Sequence, residues 1–495
     1  MIAIRRWQMT LVVLLALSAS TLVVHGPALT AAPQFDVVQY WSERHEWPSL
    51  SQAIERLDFP RARRYWKGDE AEFRPLVFLL LALEYDRFGL DIRLWHALQF
   101  LMHVVVGWLL WRLLVRTQPP AAALLLAILF TVLTTTVHLV TDTYLGGYLI
   151  ACGLLLVAVD NAWNTADRIR GRAAAWFAYA AAMTIASFYF EVMAVMSLAA
   201  APALFLEARR RGRTSPWLPV ALAAPFVVFS AVYLFRMPAL PRFAFLDDAA
   251  DSSFLAGSIW TLPARSASLL SYMTSRTMIP ALRSFWQIPA AGGAEGLWPI
   301  ALALNVAALA AAVTILGLGR RAWTADVWRL LPLLSMLAAF VVFIRFGRGV
   351  EDGNHLYVFS LLFVLAASAA FDLSRLGRGL QRATVCVLAA FIALNATLAS
   401  NWTWPEGKSG EGLARYLSAM NAFVRAHRDE PGFSFAVVTP PFEASESITL
   451  LEGYPDVPVR VSQVPPTTAL FGGTTADRAR YLLRWNGEAI AIDRP

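Results

Sequence analysis

The stretch "FRPLVFLLLALEYDRFGLDIRLWHALQFLMH", residues 73–103, joins a short apolar segment to the start of a long one. The short part, 75–83, cannot cross a bilayer core, because a transmembrane helix needs about 20 apolar residues. The long part runs from 95 to 115 and is long enough. We therefore predict a helix that lies in, or dips into, the membrane interface, followed by a transmembrane helix. The interfacial helix either anchors the chain or holds a lipid-linked substrate at headgroup depth.

Long apolar runs recur along the whole chain. Of its 495 residues, 57% are hydrophobic and only 16% are charged, whereas soluble proteins are about 25% charged. This composition predicts an all-α polytopic membrane protein with about eleven spans. We place them at 8–24, 95–115, 121–138, 145–159, 174–190, 192–207, 217–235, 298–317, 329–345, 356–372 and 383–400.

Arginine placement predicts the orientation, because cytoplasmic loops retain positive charge. With the N-terminus in the cytoplasm, the arginines of alternate short loops all fall inside, from Arg5 and Arg6 to Arg378 and Arg382. Arginines dispersed in this way do not indicate nucleic-acid binding. The first span also resembles a secretory signal peptide, and both interpretations put the loop after it outside. We expect an integral protein of a bacterial inner membrane, in contact with membrane lipids.

Three large pieces then lie outside the cytoplasm: the loop 25–94, the segment 237–297 and the tail 401–495. The segment 237–297 is amphipathic and basic, so its arginines contact either anionic headgroups or a substrate phosphate. The tail has a predicted helix at 410–428 and a strand-like run at 433–439. We therefore divide the chain into a transmembrane domain, 1–400, and a small extracytoplasmic α/β domain, 401–495. The tail either recognises an acceptor or docks a partner.

Ionisable residues at the predicted outer membrane edge are the candidate site. Asp36 and Glu46 lie in the first outer loop, and Asp142, Glu191 and His355 lie at outer ends of predicted spans. Charged groups near hydrocarbon are costly and are often functional, although each also fits a turn or an internal ion pair. No group of His, Cys, Asp and Glu has metal-ligand spacing, so we predict no metal and no cofactor.

Three stretches together resemble the membrane O-mannosyltransferase-like family. Residues 73–103 are similar to its "yRPL…lFGl…yH…nlllH" stretch. Residues 186–206, "ASFYFEVMAVMSLAAAPALFL", are similar to its "lsKEsa…lPll" segment, with Glu191 at the acidic position. Residues 353–370 are similar to its "RYlYlpslgla…lA" segment, with His355 where arginine is usual.

The resemblance implies a C-type glycosyltransferase fold and a sugar donor linked to polyprenyl phosphate. It implies a hexosyltransferase acting on a protein, lipid or glycan acceptor outside the cytoplasm. In this family an acidic residue of the first outer loop is catalytic, which points to Asp36 as base. Glu43 or Glu46 supplies the second acid, and we choose Glu46. Val37 follows Asp36, where relatives often carry a second carboxylate.

We assign substrate binding to Arg74, Asp142, Glu191 and His355. The alternatives are a glycan polymerase or ligase, a non-catalytic membrane scaffold, and a lipid-glycan transporter.

Overall fold

The computed structural model describes most of the predicted membrane part and pieces of the tail. The described residues are 6–31, 74–89, 91–164, 172–212, 216–236, 314, 317, 319, 322–323, 327–347, 353–427, 429–431, 433–438, 460–462, 468–470, 480–486 and 489–493. Asp36 and Glu46 lie outside them, as do the segment 237–297 and nearly all of the predicted span 298–317.

Twelve α-helices make up most of the described residues. They are α1 (Arg6–His25), α2 (Pro75–Phe88), α3 (Ile92–Leu114), α4 (Pro120–Val132), α5 (Thr134–Thr141), α6 (Gly146–Asn164), α7 (Arg172–Tyr189), α8 (Val192–Arg210), α9 (Leu218–Arg236), α10 (Val327–Gly347), α11 (Gly353–Ala370) and α12 (Arg378–His427). Every predicted span except 298–317 falls on one or two of these helices.

Five helical segments in the described residues are long and apolar enough to cross a membrane. They are Trp7–Thr30, Ile92–Leu114, Gly146–Trp163, Val192–Arg210 and Arg378–Thr397. The bent pair α4 and α5 makes a sixth if it counts as one span. Shorter apolar helices include Ala173–Tyr189 and Tyr357–Ala370. The chain is therefore a mostly helical membrane protein, and the count of eleven spans stays a prediction.

Helix α2 matches the short apolar helix predicted at 75–83, extended to Phe88. Pro75 opens it, since proline has no N–H to leave unpaired in a first turn. Gly89 ends it with a φ of 55°, and its N–H donates to the Tyr85 carbonyl at 2.8 Å. The Trp95 indole N–H then donates to the Gly89 carbonyl, which ties the turn to α3. At 14 residues, about 21 Å, α2 is too short to span, and its place in the interface stays a prediction.

The predicted span 121–138 is not one continuous helix. The chain is extended at Leu133, with φ −61° and ψ 138°, and α4 and α5 meet there at a bend of more than 40°. The sequence around the break, "TVLTTTVH", is rich in β-branched residues, which lose side-chain freedom in a helix. Its threonine hydroxyls also bond to backbone carbonyls, as Thr136 does to Leu133 at 2.6 Å. Hydropathy alone does not register either effect.

Two buried histidines bond to a carbonyl at this break. The Thr131 carbonyl accepts from Nε2 of His25 and from Nε2 of His103, both at 3.1 Å. Since a carbonyl only accepts, both Nε2 atoms carry the proton. The other ring nitrogen of His103, Nδ1, then accepts from the Tyr357 hydroxyl at 2.9 Å. Side chains of α1, α3 and α11 thus form a hydrogen-bond network on the carbonyl that the break leaves without a helical partner. Non-helical backbone within a membrane needs such partners, because no water is present to supply them.

The tail contains a small five-stranded sheet. Its strands are β1 (Phe435–Val438), β2 (Arg460–Ser462), β3 (Thr468–Leu470), β4 (Tyr481–Trp485) and β5 (Ile490–Asp493), in the order β2-β3-β1-β4-β5. Strands β1 and β4 pair in parallel, and the other neighbours are antiparallel. Strand β1 lies within the predicted run 433–439. Helix α12 continues without interruption across the predicted domain boundary at 400, so the helix predicted at 410–428 is its second half.

Candidate active site

Three of the six predicted site residues have described side chains: Arg74, Asp142 and Glu191. His355 lies in the first turn of α11, and its side chain is not among those described. Asp36 and Glu46 lie outside the described residues altogether, so their assignment stays a prediction. The structure therefore tests whether the first three residues meet.

Arg74 and Glu191 meet, although 117 positions separate them in the chain. The Arg74 Nε donates to Glu191 Oε2 at 2.7 Å, and Nη2 donates to Oε1 at 2.9 Å. This bidentate geometry is the strongest form of an arginine–carboxylate contact. The two side chains are only 10% and 20% exposed, so the pair lies largely out of solvent.

Helix termini position both charged groups. Arg74 immediately precedes α2, and its guanidinium lies at the start of that helix. Glu191 occupies the short break between α7 and α8. At the end of α7 the Phe190 N–H donates to the Ala186 carbonyl, and at the start of α8 the Ala194 N–H donates to the backbone carbonyl of Glu191. A carboxylate beside a helix N-terminus is also favoured by the helix dipole. The two motif segments therefore meet through the ends of their helices.

Two aromatic rings hold the guanidinium. The Tyr148 hydroxyl accepts from Arg74 Nη1 at 2.6 Å. The Arg74 Cζ atom lies 5.0 Å from the Tyr148 ring centroid and 5.3 Å from that of Phe190, within cation–π range. The two rings also contact each other, with centroids 4.5 Å apart. We call Arg74, Glu191, Tyr148 and Phe190 the arginine cage.

Sequence reasoning missed Tyr148 and Phe190. Tyr148 lies in "TDTYLGGYL", next to the predicted residue Asp142, and Phe190 directly precedes Glu191. Their closeness to predicted site residues was the only signal. Neither aromatic residue stands out among the 13 tyrosines and 30 phenylalanines of the chain.

A glycine lets Tyr148 approach Arg74. A Cβ atom built on Gly147 would lie 2.7 Å from Val77 Cγ2 of α2 and 3.2 Å from Tyr189 Cδ1 of α7. Real Cβ atoms do not approach other atoms so closely, so only glycine allows α6 to pack this tightly on α2 and α7. The packing brings the first turn of α6, with Tyr148, up to the start of α2.

Asp142 precedes Tyr148 of the arginine cage by six residues in the chain. It is buried at the end of α5, and the 3-10 turn Thr143–Leu145 joins it to α6. The Gln99 side chain of α3 donates through Nε2 to the Asp142 carbonyl and to the Leu139 carbonyl, both at 2.8 Å. Gln99 thus holds the end of α5 just before the segment that supplies Tyr148.

Besides Glu191, the described residues include another buried carboxyl, that of Glu84 in α2. Glu84 is 2% exposed, and its Oε2 atom has no hydrogen-bond partner among the described residues. Burial raises the pKa of this carboxyl to about 8. Glu84 is therefore a neutral acid at pH 7, unlike the paired carboxylate of Glu191.

A second arginine–carboxylate cluster lies at the other end of α6. Asp160 Oδ2 of α6 lies 3.5 Å from Arg112 Nη2 in an ion pair, and Asp160 also contacts Arg116. Arg112 is 51% exposed. We call these three residues the far cluster. Its two arginines belong to the set that the sequence predicts on the cytoplasmic side.

Within the described parts of the chain, no group of three or more His, Cys, Asp or Glu side chains is placed to hold a metal ion. The arginine cage instead offers a cation, a hydroxyl and two aromatic faces. Such a set suits an anionic group attached to an apolar body.

Comparisons with known proteins give a distant likeness. No protein-family model matches the chain, and no curated protein matches it. Among solved structures, a similar chain is ArnT from Cupriavidus metallidurans, in a crystal structure bound to undecaprenyl phosphate. The TM-score is 0.48 at 12% sequence identity, and the match covers 89% of this chain and 85% of that one. A likeness at this level assigns neither a fold nor an activity to the chain.

Proposed function

We propose that the chain is a membrane glycosyltransferase of C-type fold, which transfers a sugar from a polyprenyl-phosphate donor to an acceptor outside the cytoplasm. One observation carries the proposal. Arg74 and Glu191, from two stretches that resemble separate motifs of one glycosyltransferase family, meet in a buried bidentate pair. Residues that belong to one active site are expected to converge in this way from distant parts of the chain.

The arginine cage supplies what the donor phosphate requires. A guanidinium matches two phosphate oxygens, and its position at the start of a short apolar helix fits a phosphate at headgroup depth. When the bond between the sugar C1 and the phosphate oxygen breaks, the polyprenyl phosphate gains a negative charge. A cation fixed beside that oxygen stabilises the charge without having to reorganise.

We assign activation of the acceptor to the first outer loop. Asp36 would take the proton of the acceptor hydroxyl or amide as its oxygen or nitrogen attacks C1, with Glu46 as the second acid. Asp142 and His355 would complete the substrate-binding surface. A phosphate is already a good leaving group, so this reaction does not require a metal.

Glycan and lipid analysis tests the proposal. Cells that lack the protein should accumulate one polyprenyl-phosphate sugar and lose one glycan or glycolipid. The Asp36→Asn variant should reproduce this phenotype at normal expression, because an amide does not accept the acceptor proton. Asp372→Asn is a matched control, since asparagine also caps the turn that Asp372 starts.

Two outcomes would contradict parts of the proposal. If Asp36→Asn and Glu46→Gln both restore full transfer, the proposed base is wrong. If deletion changes no glycan and no lipid-linked sugar, a non-catalytic scaffold explains the chain better.

A further inference from the structure

We propose that Glu191 occupies the donor-phosphate site of the resting protein, and that the lipid phosphate displaces its carboxylate from Arg74. This inference rests on the proposed function only in naming a polyprenyl phosphate as the ligand. It concerns the binding step, and it holds or fails separately from sugar transfer.

The first argument is that carboxylate and phosphate compete for the same two N–H groups. Glu191 takes the Nε and Nη2 donors of Arg74, the side of the guanidinium that presents two parallel N–H bonds. A phosphate binds that same face through two oxygens. Both anions cannot use these two donors in the same bidentate geometry.

The second argument is that Arg74 stays in place when Glu191 leaves. The Tyr148 hydroxyl and the rings of Tyr148 and Phe190 contact the guanidinium independently of the carboxylate. Tyr148 is itself fixed by the close packing of α6 at Gly147. The binding geometry is therefore preorganised, which lowers the cost of accepting a new anion.

The third argument concerns which partner can move. Glu191 is the more exposed of the two side chains, at 20% against 10% for Arg74, and it stands in the break between two helices. Its side chain can turn outward without unwinding a helix.

The charge balance favours exchange over simple addition. The resting pair is neutral, and a phosphate added beside it would leave an excess negative charge in a largely buried site. Burying unpaired charge is costly, so release of the carboxylate to solvent is the less expensive route. In this arrangement a ligand must bind Arg74 more tightly than the Glu191 carboxylate does, so weakly binding anions are excluded.

Binding of undecaprenyl phosphate to the full-length protein in lipid nanodiscs tests the exchange. Glu191→Gln should bind this probe about tenfold more tightly than the wild type, because a neutral amide competes poorly for the guanidinium. Glu191→Asp keeps the charge and should bind less tightly than Glu191→Gln. Undecaprenol, which lacks the phosphate, should show no such difference. Equal or weaker binding by Glu191→Gln would overturn the proposal.

A second measurement uses the wild type and does not depend on a variant folding. A water-soluble carbodiimide with an amine nucleophile labels accessible carboxylates, and mass spectrometry reads the Glu191 peptide. Labelling of Glu191 should rise several-fold when undecaprenyl phosphate is added. Glu207, in the same α8 helix and paired with Arg211 at 2.8 Å, is the internal control and should not change.

Unchanged labelling of Glu191 in a protein that binds the probe would contradict displacement. The two proposals separate cleanly. Displacement without any sugar transfer would reject the glycosyltransferase and keep the exchange, whereas transfer without displacement would do the reverse.

Discussion

The arginine cage and the far cluster are both arginine–carboxylate sites, and α6 contributes to each. Tyr148 lies in the first turn of α6, and Asp160 lies about three turns further along. In the cage one arginine meets one carboxylate through two short hydrogen bonds, and two aromatic rings contact the guanidinium. In the far cluster two arginines share the Asp160 carboxylate. Arg112 is 51% exposed and lies 3.5 Å from it, whereas Arg116 is 23% exposed, so the contrast with the cage rests on Arg112.

Charge pairs of the same chemistry therefore differ in burial and geometry at the two ends of one helix. An exposed pair contributes about 0–1 kcal/mol, because water competes for both partners. A buried pair is not strongly stabilising compared with apolar residues, but breaking it costs about 3–5 kcal/mol. The proposed function gives a reason to retain such a costly buried pair, whereas the arginines of the far cluster fit the predicted placement of arginine in cytoplasmic loops.

The largest expected effect comes from removing the cage cation. Arg74→Gln should destabilise the detergent-solubilised protein by about 3–5 kcal/mol, since it leaves the Glu191 carboxylate buried without its partner. Thermal unfolding measures this loss. The double variant with Glu191→Gln should recover much of it, because no charge is then left unpaired. A loss below about 1 kcal/mol would make the cage equivalent to a surface pair.

Glu84 extends the contrast to a third carboxyl, because it is buried with no cation beside it among the described residues. Its pKa is raised from 4.5 to about 8. Between these values the folded state holds a proton that the unfolded state has lost, so stability should fall as pH rises from about 4.5 to 8. Glu84→Gln should remove this fall and be more stable than the wild type by about 4 kcal/mol at pH 8 and above.

Stability measured across a pH range of about 5 to 9 checks the sign of the effect. Glu84→Asp keeps a carboxyl at the site and should keep the fall. If Glu84→Gln follows the same pH curve as the wild type, burial does not govern this carboxyl.

Close packing at Gly147 is the next smaller effect. Gly147→Ala puts a Cβ atom 2.7 Å from Val77 Cγ2, so it should cost about 1–3 kcal/mol through overpacking. Gly153→Ala in the same helix is the matched control, since its Cβ would be no closer than 3.7 Å to a neighbour. Val77→Ala should relieve the strain of Gly147→Ala. Equal unfolding temperatures for the two alanine variants would show that α6 does not need this approach.

The smallest effect is expected at the far cluster. Arg112→Gln should change stability by less than about 1 kcal/mol, because the arginine is half exposed and Asp160 keeps its contact with Arg116. Thermal unfolding at low and high salt measures the change. A loss as large as that of Arg74→Gln would remove the contrast between the two clusters.

The sequence predicted the helices better than the site. Apolar runs locate α3 and α6 within a few residues, because hydropathy follows helix length directly. Arg74 and Glu191, which the structure brings together, were proposed because they lie in recognisable motif stretches. Tyr148 was missed because its role depends on how closely α6 approaches α2, which spacing along one chain does not reveal.

The break at Leu133 was missed for a related reason. Its cause is a run of β-branched residues, and the freed Thr131 carbonyl bonds to His25 of α1 and His103 of α3. Such partners come from other helices, so only the assembled structure identifies them. The boundary at 400 was placed where hydropathy falls, whereas helix α12 continues to His427.

Because α12 is one helix, the distance of the sheet from the apolar segment and the direction that the sheet faces are coupled. Beyond the apolar segment Arg378–Thr397 the helix continues to His427, which is about 45 Å of helix at 1.5 Å per residue. Each residue removed from 398–415, before Tyr416 and Phe423 contact the sheet, would bring the sheet about 1.5 Å closer to the apolar segment and turn it by about 100°. Removing two residues would make the sheet face in nearly the opposite direction. Removing seven would bring the sheet about 10 Å closer to the apolar segment and would leave the direction that it faces nearly unchanged. In the second half of α12, a change of one residue therefore alters both the distance of the sheet from the apolar segment and the direction that the sheet faces.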